Sequence, residues 1–237
     1  MDYTVKSLTV FFPCYNEEAN VERTTRAALA ACREFVEDFE IIIVNDGSRD
    51  RTGEIADGLA AAHPEVRVVH NRPNQGYGGA LQAGFRAAKK EWVFYTDGDG
   101  QFDFREIPTL FPLLGHCDIV SAYRLDRQDP LVRRINAWCW TRLVNLVLGM
   151  RLRDIDCAFK IYPKRFLDEI EMRSKGALID AEMLAKATRL GYRIGQIGVR
   201  HYPRTAGEQT GANLKVIARA FLELFRLRRH IAQTRRG

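Results

Sequence analysis

The chain of 237 residues is 46% hydrophobic and 28% charged with a net charge of +6, the proportions of an ordinary globular protein. No stretch of about 18 apolar residues occurs, which excludes a transmembrane helix, and the start, MDYTVKSLTVFFPCYNEE, is neither basic nor followed by a small-residue cleavage site, so no secretory leader is expected. The five cysteines form no C-x-x-C pair, which argues against a zinc site or disulfide framework and suits reduced thiols in the cytoplasm.

In chain order, residues 8–12 read as a buried strand, followed by a helix over 17–36 with Asn16 as its N-cap. Residues 40–44 (EIIIV) form a second strand, 52–62 a helix ended near His63-Pro64, 66–70 a third strand, 79–89 a helix and 92–96 a fourth strand. This alternation with short connections implies an α/β fold, with a mostly parallel central sheet covered by helices on both faces. Beyond it, residues 104–114 read as helix, 118–122 as strand, 131–148 as a long helix ended by Gly149, 158–162 as strand, 181–190 as a helix closed by Gly191, 193–202 as an edge strand, and 213–231 as a last helix capped by Asn213. With no repeat, low-complexity segment or linker, a single domain over 1–237 is expected.

Charge is unevenly spread. Residues 1–100 carry 11 Lys and Arg against 16 Asp and Glu, and the remainder 25 against 14, so the two parts are expected to meet different partners. The acidic part suits a metal; the basic part suits phosphates, an anionic membrane or nucleic acid, or is simply solvated.

The strand over 92–96 runs into TDGDGQFD, placing Asp97 and Asp99 at its C-terminal end, with Asp103 beyond. In an open α/β sheet that end is where ligands bind. Adjacent carboxylates repel unless a cation offsets them, and hard divalent ions take oxygen ligands shared with substrate phosphates. The pattern therefore indicates a metal-bridged diphosphate site; its alternative is a solvated Asp-Gly turn. At the first strand's end, FFPCYNEE presents Pro13, Tyr15, Asn16, Glu17 and Glu18, an aromatic and carboxylates able to hold a nucleobase, or equally a helix start in which Asn16 caps and the glutamates favour the helix dipole. At the second, Asn45-Asp46-Gly47-Ser48 offers Asp46 to a base or ribose, or to an Asx-turn. The third turn, NRPNQGYGGALQAG, is not a dinucleotide fingerprint; Gly76, Gly78 and Gly79 suit close packing of a helix on the sheet. Three strands delivering such side chains to one sheet edge outweigh any single turn.

The strings PCYNEE, NDGSRDRT and DGDGQFD, in this order and continuing into RLDRQDPLVRRINAW and DIDCAFKIYPK, resemble glycosyltransferase family 2, with greatest likeness to its dolichyl- and polyprenyl-phosphate sugar transferases. The resemblance implies a glycosyltransferase-A fold and an inverting transfer of a single sugar from a GDP- or UDP-linked donor. It implies nucleotide-binding roles for Pro13, Tyr15, Glu17 and Asp46, and a Mg2+ or Mn2+ ion on Asp97 and Asp99 with Gln101 beside it. Asn45 departs from the double aspartate often seen in the family. A lipid phosphate acceptor is already ionised and needs little general-base help; it needs cations. Arg124, Arg127, Arg133, Arg134 and, further on, Arg204 are the candidates, because a guanidinium meets phosphate bidentately; Arg124 and Arg134 are also counted with Asp97 and Asp99 as catalytic. The alternative for the cluster is a solvated loop paired with Asp126 and Asp129. Asp154, Asp156, Asp180 and Glu182 suit positioning of sugar hydroxyls or an arginine, or ordinary helix-start charge, and His201 a structural place.

On this reading 1–123 form a nucleotide-sugar half and 124–212 an acceptor half, while 213–237, with seven Lys and Arg against the single acid Glu223, form a basic amphipathic helix. That helix fits an anionic membrane surface, or packs its apolar face on the core with a basic tail. A peripheral enzyme at the cytoplasmic face is expected, with a separate membrane protein as a further partner and no nucleic acid. The competing readings are the same fold with a hydroxyl acceptor (polysaccharide, protein or small molecule), a sugar-nucleotidyltransferase, which would carry a glycine- and arginine-rich loop where PCYNEE stands, and a non-catalytic basic protein, which the acidic motifs disfavour.

Overall fold

The computed structural model describes residues 3–125, 131–203 and 214–233, with the side chains of 131–133 and 214–222 left aside. The elements are β1 (Ser7–Cys14), α1 (Val21–Phe35), β2 (Asp38–Asn45), α2 (Thr52–Ala62), β3 (Val66–His70), α3 (Gly76–Ala87), β4 (Trp92–Thr96), a 3-10 helix (Phe104–Leu110) running into α4 (Phe111–Leu114), β5 (Ile119–Leu125), α5 (Leu131–Leu148), β6 (Phe159–Pro163), α6 (Lys164–Glu169), α7 (Ile179–Arg189), β7 (Ile194–Arg200) and α8 (Leu214–Gln233). Each strand expected from the sequence is present, as are helices α2 and α5 at the expected bounds. The short α6 was not legible, because six residues are too few to show a helical period.

The seven strands form one sheet in the order β3-β2-β1-β4-β6-β5-β7. All run in one direction except β6, which is antiparallel to both β4 and β5. The central strands are continuous apolar runs (Ile41 to Val44 and Trp92 to Tyr95 are all buried), as expected where both faces are covered. Phe11 packs edge-on against Phe85 of α3, whereas its neighbour Phe12 meets Phe104 of the 3-10 helix. Because successive strand side chains point to opposite faces, this shows helical cover on both sides. One continuous hydrophobic core runs through the sheet.

Two local expectations change. Asn16 does not cap α1: it sits in the left-handed region (φ 55), and Asn20 occupies the cap position of a helix that begins at Val21. Asparagine tolerates that conformation because its short side chain bonds locally. Here its Oδ1 accepts from the Arg49 amide at 2.8 Å, and its own amide donates to Ser48 Oγ at 3.0 Å. Gly78 packs not on the sheet but on the loop before α7: a Cβ there would stand 2.6 Å from the Ser174 carbonyl oxygen.

Candidate active site

Topology gathers the site. Parallel strands present their C-terminal ends at one edge, so the tips of β1, β2, β3, β4, β5 and β7 all lie there. The reversed strand β6 presents its N-terminal end instead: Phe159 pairs with Thr96, which brings Asp154 and Asp156 to the edge where Asp97 and Asp99 leave β4.

Gly98, between the two acids, lies against the tip of β1, where a Cβ would stand 2.7 Å from the Pro13 carbonyl oxygen. Its own carbonyl accepts from Thr24 Oγ1 at 3.1 Å. The turn is thus clamped to β1 and α1. Asp99 is buried, and its Oδ1 accepts from the Gln101 amide at 3.1 Å. Asp97 is half-buried and accepts a hydrogen bond from Tyr77 Oη at 3.1 Å. Its carboxyl is pushed up to about 7, first by removal from water, then by the negative charges of Asp99 and Asp180, against the pull of Tyr77 and Arg124. Asp156 keeps part of its surface in solvent but is crowded by protein around its carboxyl, and this loss of hydration first, with the charges of Asp180 and Asp154 next, raises it to about 6. The centre therefore carries more negative charge than its own cations balance.

That donor set suits a hard divalent ion. Among the described residues no group of three or more His, Cys, Asp or Glu side chains is arranged to hold a metal alone. Two carboxylates with the remaining positions left to phosphate oxygens and water are the usual arrangement for Mg2+-type sites. Gln101 turns its side-chain amide to the Tyr202 carbonyl at 3.0 Å, and its own carbonyl accepts from the Tyr202 amide at 2.9 Å, so it ties the segment after β7 to the acid turn. Asp103, the third aspartate of the string, caps the 3-10 helix and pairs with Arg105.

On the side of β1 to β3 lies a cleft of about 600 Å3 lined by Tyr15, Ser48, Arg49, His70, Arg72 and others. Tyr15 is exposed there. Asp46 is buried, and its Oδ1 accepts from Asn71 Nδ2 at 2.8 Å and from the Gln75 amide at 2.9 Å, bracing the β3–α3 loop. Glu17 donates its amide to Thr52 Oγ1 at 2.8 Å, and its carboxylate accepts from Asn20 Nδ2 at 2.7 Å. Asn45 is spoken for on both sides: Oδ1 accepts from the Ser48 amide at 3.1 Å, and Nδ2 lies 3.0 Å from His70 Nδ1, whose Nε2 meets Asp57 at 2.9 Å. With Asp57 accepting from Nε2–H, Nδ1 is left to accept from Asn45.

On the other side, Arg124 at the end of β5 makes a fork with Asp154, Nε to Oδ2 at 2.7 Å and Nη2 to Oδ1 at 2.9 Å. Burial opposes the charge, but the bonds and charge of Asp154 outweigh it and hold the guanidinium above its usual range. Arg124, Arg134, Tyr123, Trp138, Arg153 and Asp154 line a cleft of about 360 Å3. Arg134 is exposed. Arg127 and Arg204 lie outside the described residues, as does Asn213; Arg133 is placed by its backbone alone, in the first turn of α5. His201 packs edge-on against Phe102.

Sequence reasoning missed Tyr77 and underrated Asp180. Tyr77 lay in a glycine-rich string read for its glycines. Asp180 belongs to a buried trio: Lys160 Nζ donates to Asp180 Oδ1 at 2.7 Å and to Tyr95 Oη at 3.0 Å, and Tyr95 also bonds Asp180. A lysine within an apolar strand was the available signal. Glu182 is similarly interior, paired with Lys186 and accepting from the Ser174 amide at 2.6 Å.

The sheet order and the acid turn define a glycosyltransferase-A fold. Glucosyl-3-phosphoglycerate synthase from Mycobacterium tuberculosis, solved with Mn2+, UDP-glucose and phosphoglyceric acid, superposes with a TM-score of 0.72 at 21% identity over 94% of this chain and 79% of that one. The mannosyltransferase PcManGT from Pyrobaculum calidifontis, in complex with GDP-Man and Mn2+, gives 0.69 at 18% identity, covering 99% of this chain and 67% of that one. The sequence pattern of Glycosyl transferase family 2 matches residues 9–171, and the chain belongs to that family. Among curated relatives, glycosyltransferase AglD of Haloferax volcanii is 32% identical over 83% of this chain. Undecaprenyl-phosphate 4-deoxy-4-formamido-L-arabinose transferase of Pseudomonas fluorescens is 31% identical over 92%. The chain spans 33% of the first relative's length and 64% of the second's.

Proposed function

We propose that the chain is a metal-dependent inverting glycosyltransferase that moves one sugar from a GDP- or UDP-linked donor to a polyprenyl or dolichyl phosphate at a membrane surface. The observation that carries this reading is Asp97-Gly98-Asp99 at the ligand edge of the sheet, with the Asp97 carboxyl raised to about 7 in a surplus of negative charge. The acceptor comes from the undecaprenyl-phosphate transferases, which are about 31% identical; the donor and Mn2+ are those of the structural neighbours.

Asp97 and Asp99 would hold Mg2+ or Mn2+, which when bound offsets the charge that builds on the departing diphosphate. Tyr15 offers its exposed ring to the base, and Asp46 keeps the β2 and β3 turns in place around it. Pro13 and Glu17 shape the same rim, and Gln101 holds the Tyr202 segment beside the acids. Arg134, with Arg127, Arg133 and Arg204, supplies positive charge to the acceptor; Arg124, already forked to Asp154, orients that wall. An acceptor phosphate oxygen attacks the anomeric carbon opposite the diphosphate. The new C–O bond forms as the old one breaks, the configuration inverts, and no proton has to be removed because the phosphate is ionised. The exposed arginines Arg226, Arg228 and Arg229 of α8 suit an anionic membrane, and a cytoplasmic, peripheral placement with a membrane-protein partner follows.

A second reading has one observation in its favour. Asp156 is partly exposed with a carboxyl near 6, suited to act as base toward a hydroxyl acceptor. A donor screen against a short polyprenyl phosphate and against sugar alcohols, read by mass spectrometry with and without chelator, decides. Metal-dependent product on the lipid phosphate alone is expected. Product only on alcohols, abolished in Asp156→Asn, establishes the second reading, and full turnover in excess chelator overturns both.

A further inference from the structure

The described part of α8 spends its apolar side inside the protein: Leu224, Leu227 and Ile231 are buried, and the helix packs against α5 and α7. Among the described residues, the large apolar side chains left in solvent are instead concentrated on α5. Ile135 is 50% exposed, Trp138 60% and Leu146 81%. With about 3.6 residues per turn these three lie on one face, joined by exposed Cys139 and Arg142. The opposite side of the helix carries buried Thr141 and Val144.

The surroundings are mostly cationic, the acid that lines the adjoining cleft, Asp154, being forked to Arg124. Residues 131–153 contain five arginines and no acid. Arg142 lies over the Trp138 ring at 5.3 Å, its charge kept at the rim while the ring forms the apolar centre. An amphipathic surface with a tryptophan, a protruding leucine and arginines around them matches an anionic bilayer surface. A second copy of this face is disfavoured, because it would set arginines against arginines with no acid between them.

We propose that the outer face of α5, centred on Ile135, Trp138 and Leu146, is the apolar membrane contact of this protein, docking on anionic lipid beside the Arg124–Arg134 cleft. The proposal rests on the lipid-phosphate reading above, and it deepens it by assigning the apolar contact to α5 and not to the described residues 223–233 of α8. Seated this way, the cleft opens next to the surface from which an acceptor phosphate projects.

The test needs neither donor nor acceptor, so its outcome is independent of whether the transfer reaction has been correctly assigned. The full chain is sedimented with phosphatidylglycerol-containing vesicles and with pure phosphatidylcholine vesicles, using wild type, Leu146→Glu, Ile135→Glu and, on α8, the exposed-site variant Phe225→Glu. Binding to the anionic vesicles only is expected, with a loss of roughly tenfold or more for Leu146→Glu and Ile135→Glu, since each puts a charge where the exposed methyl groups would enter the lipid. Phe225→Glu should bind as wild type does. Brominated lipid should quench tryptophan emission in wild type and much less in Trp138→Phe. Unchanged binding by both α5 variants overturns the proposal, as does loss confined to Phe225→Glu, absence of any vesicle binding, or a wild-type dimer that Leu146→Glu converts to monomer. An unchanged circular-dichroism spectrum and melting temperature for each variant shows that it is folded.

Discussion

The sheet has two sides that are held together differently. From β3 to β4, parallel strands of Val, Ile and Phe stack in register, and the chemistry sits in turns whose side chains mostly bond to one another. From β6 to β7 the reversed strand interrupts that pattern, and charged pairs occupy the interior: Lys160 with Asp180, Lys186 with Glu182, and Arg124 with Asp154. The lesson is that the first side owes its shape to apolar burial and offers acids to a ligand, whereas the second uses ion pairs as internal supports and leaves arginines at its surface.

If that contrast holds, the largest effect comes from the acids of the first side. Asp99→Asn should lower kcat/KM by on the order of 10^3 at saturating metal, with the fold intact by circular dichroism. Next is a support of the second side. Lys160→Met leaves Asp180 buried without its cation and should cost about 3–5 kcal/mol in denaturant unfolding, while Lys160→Met with Asp180→Leu should recover most of that. Recovery of nothing would mean that the pair does more than satisfy itself.

Arg134→Ala should raise the acceptor KM about tenfold and leave the donor KM nearly unchanged, consistent with a charge-assisted bond worth about 1.5–3 kcal/mol; the reverse pattern would remove Arg134 from the acceptor wall. A smaller effect is expected at Tyr77. Tyr77→Phe removes the hydroxyl that stabilises ionised Asp97, so the pH at which Mn2+ affinity levels off should move upward, with kcat at high pH retained.

Stability should also vary with pH. The Asp97 carboxyl is raised from 3.8 to about 7 in the fold. The folded protein thus keeps a proton that the unfolded chain has released, and metal-free stability should fall as pH rises between those values and flatten above them. Asp97→Asn should reduce that slope to the part left by Asp156, and Mn2+ with nucleotide should reverse it; calorimetry across this window reads all three.

How much of this was legible beforehand differs between the two sides for a physical reason. β4 and α2 were readable to the residue because a buried parallel strand is an unbroken apolar run and α2 is bracketed by Thr52 and His63-Pro64, and the half-buried edge strand β3 was marked by its valines despite Arg67. Asn16 misled because a left-handed asparagine and an N-cap asparagine look alike in sequence; what separates them is a partner, Ser48, 32 positions away. The glycines around Gly78 were correctly read as marking a close approach, but the approaching chain was a loop nearly 100 positions later.

By itself the sequence determined the alternation of strands and helices, the acid pair at the end of β4, the family and the asymmetry of charge, since each is written in residues close together. Tertiary structure alone decided that β6 runs backward, so that Asp154 and Asp156 reach the same sheet edge as Asp97; that Tyr77 and Asp180 bear on that carboxyl; and that Leu224 and Leu227 of α8 turn inward while Trp138 of α5 turns out. Those outcomes depend on which surfaces meet, and burial against a distant partner is a property that no local spacing encodes.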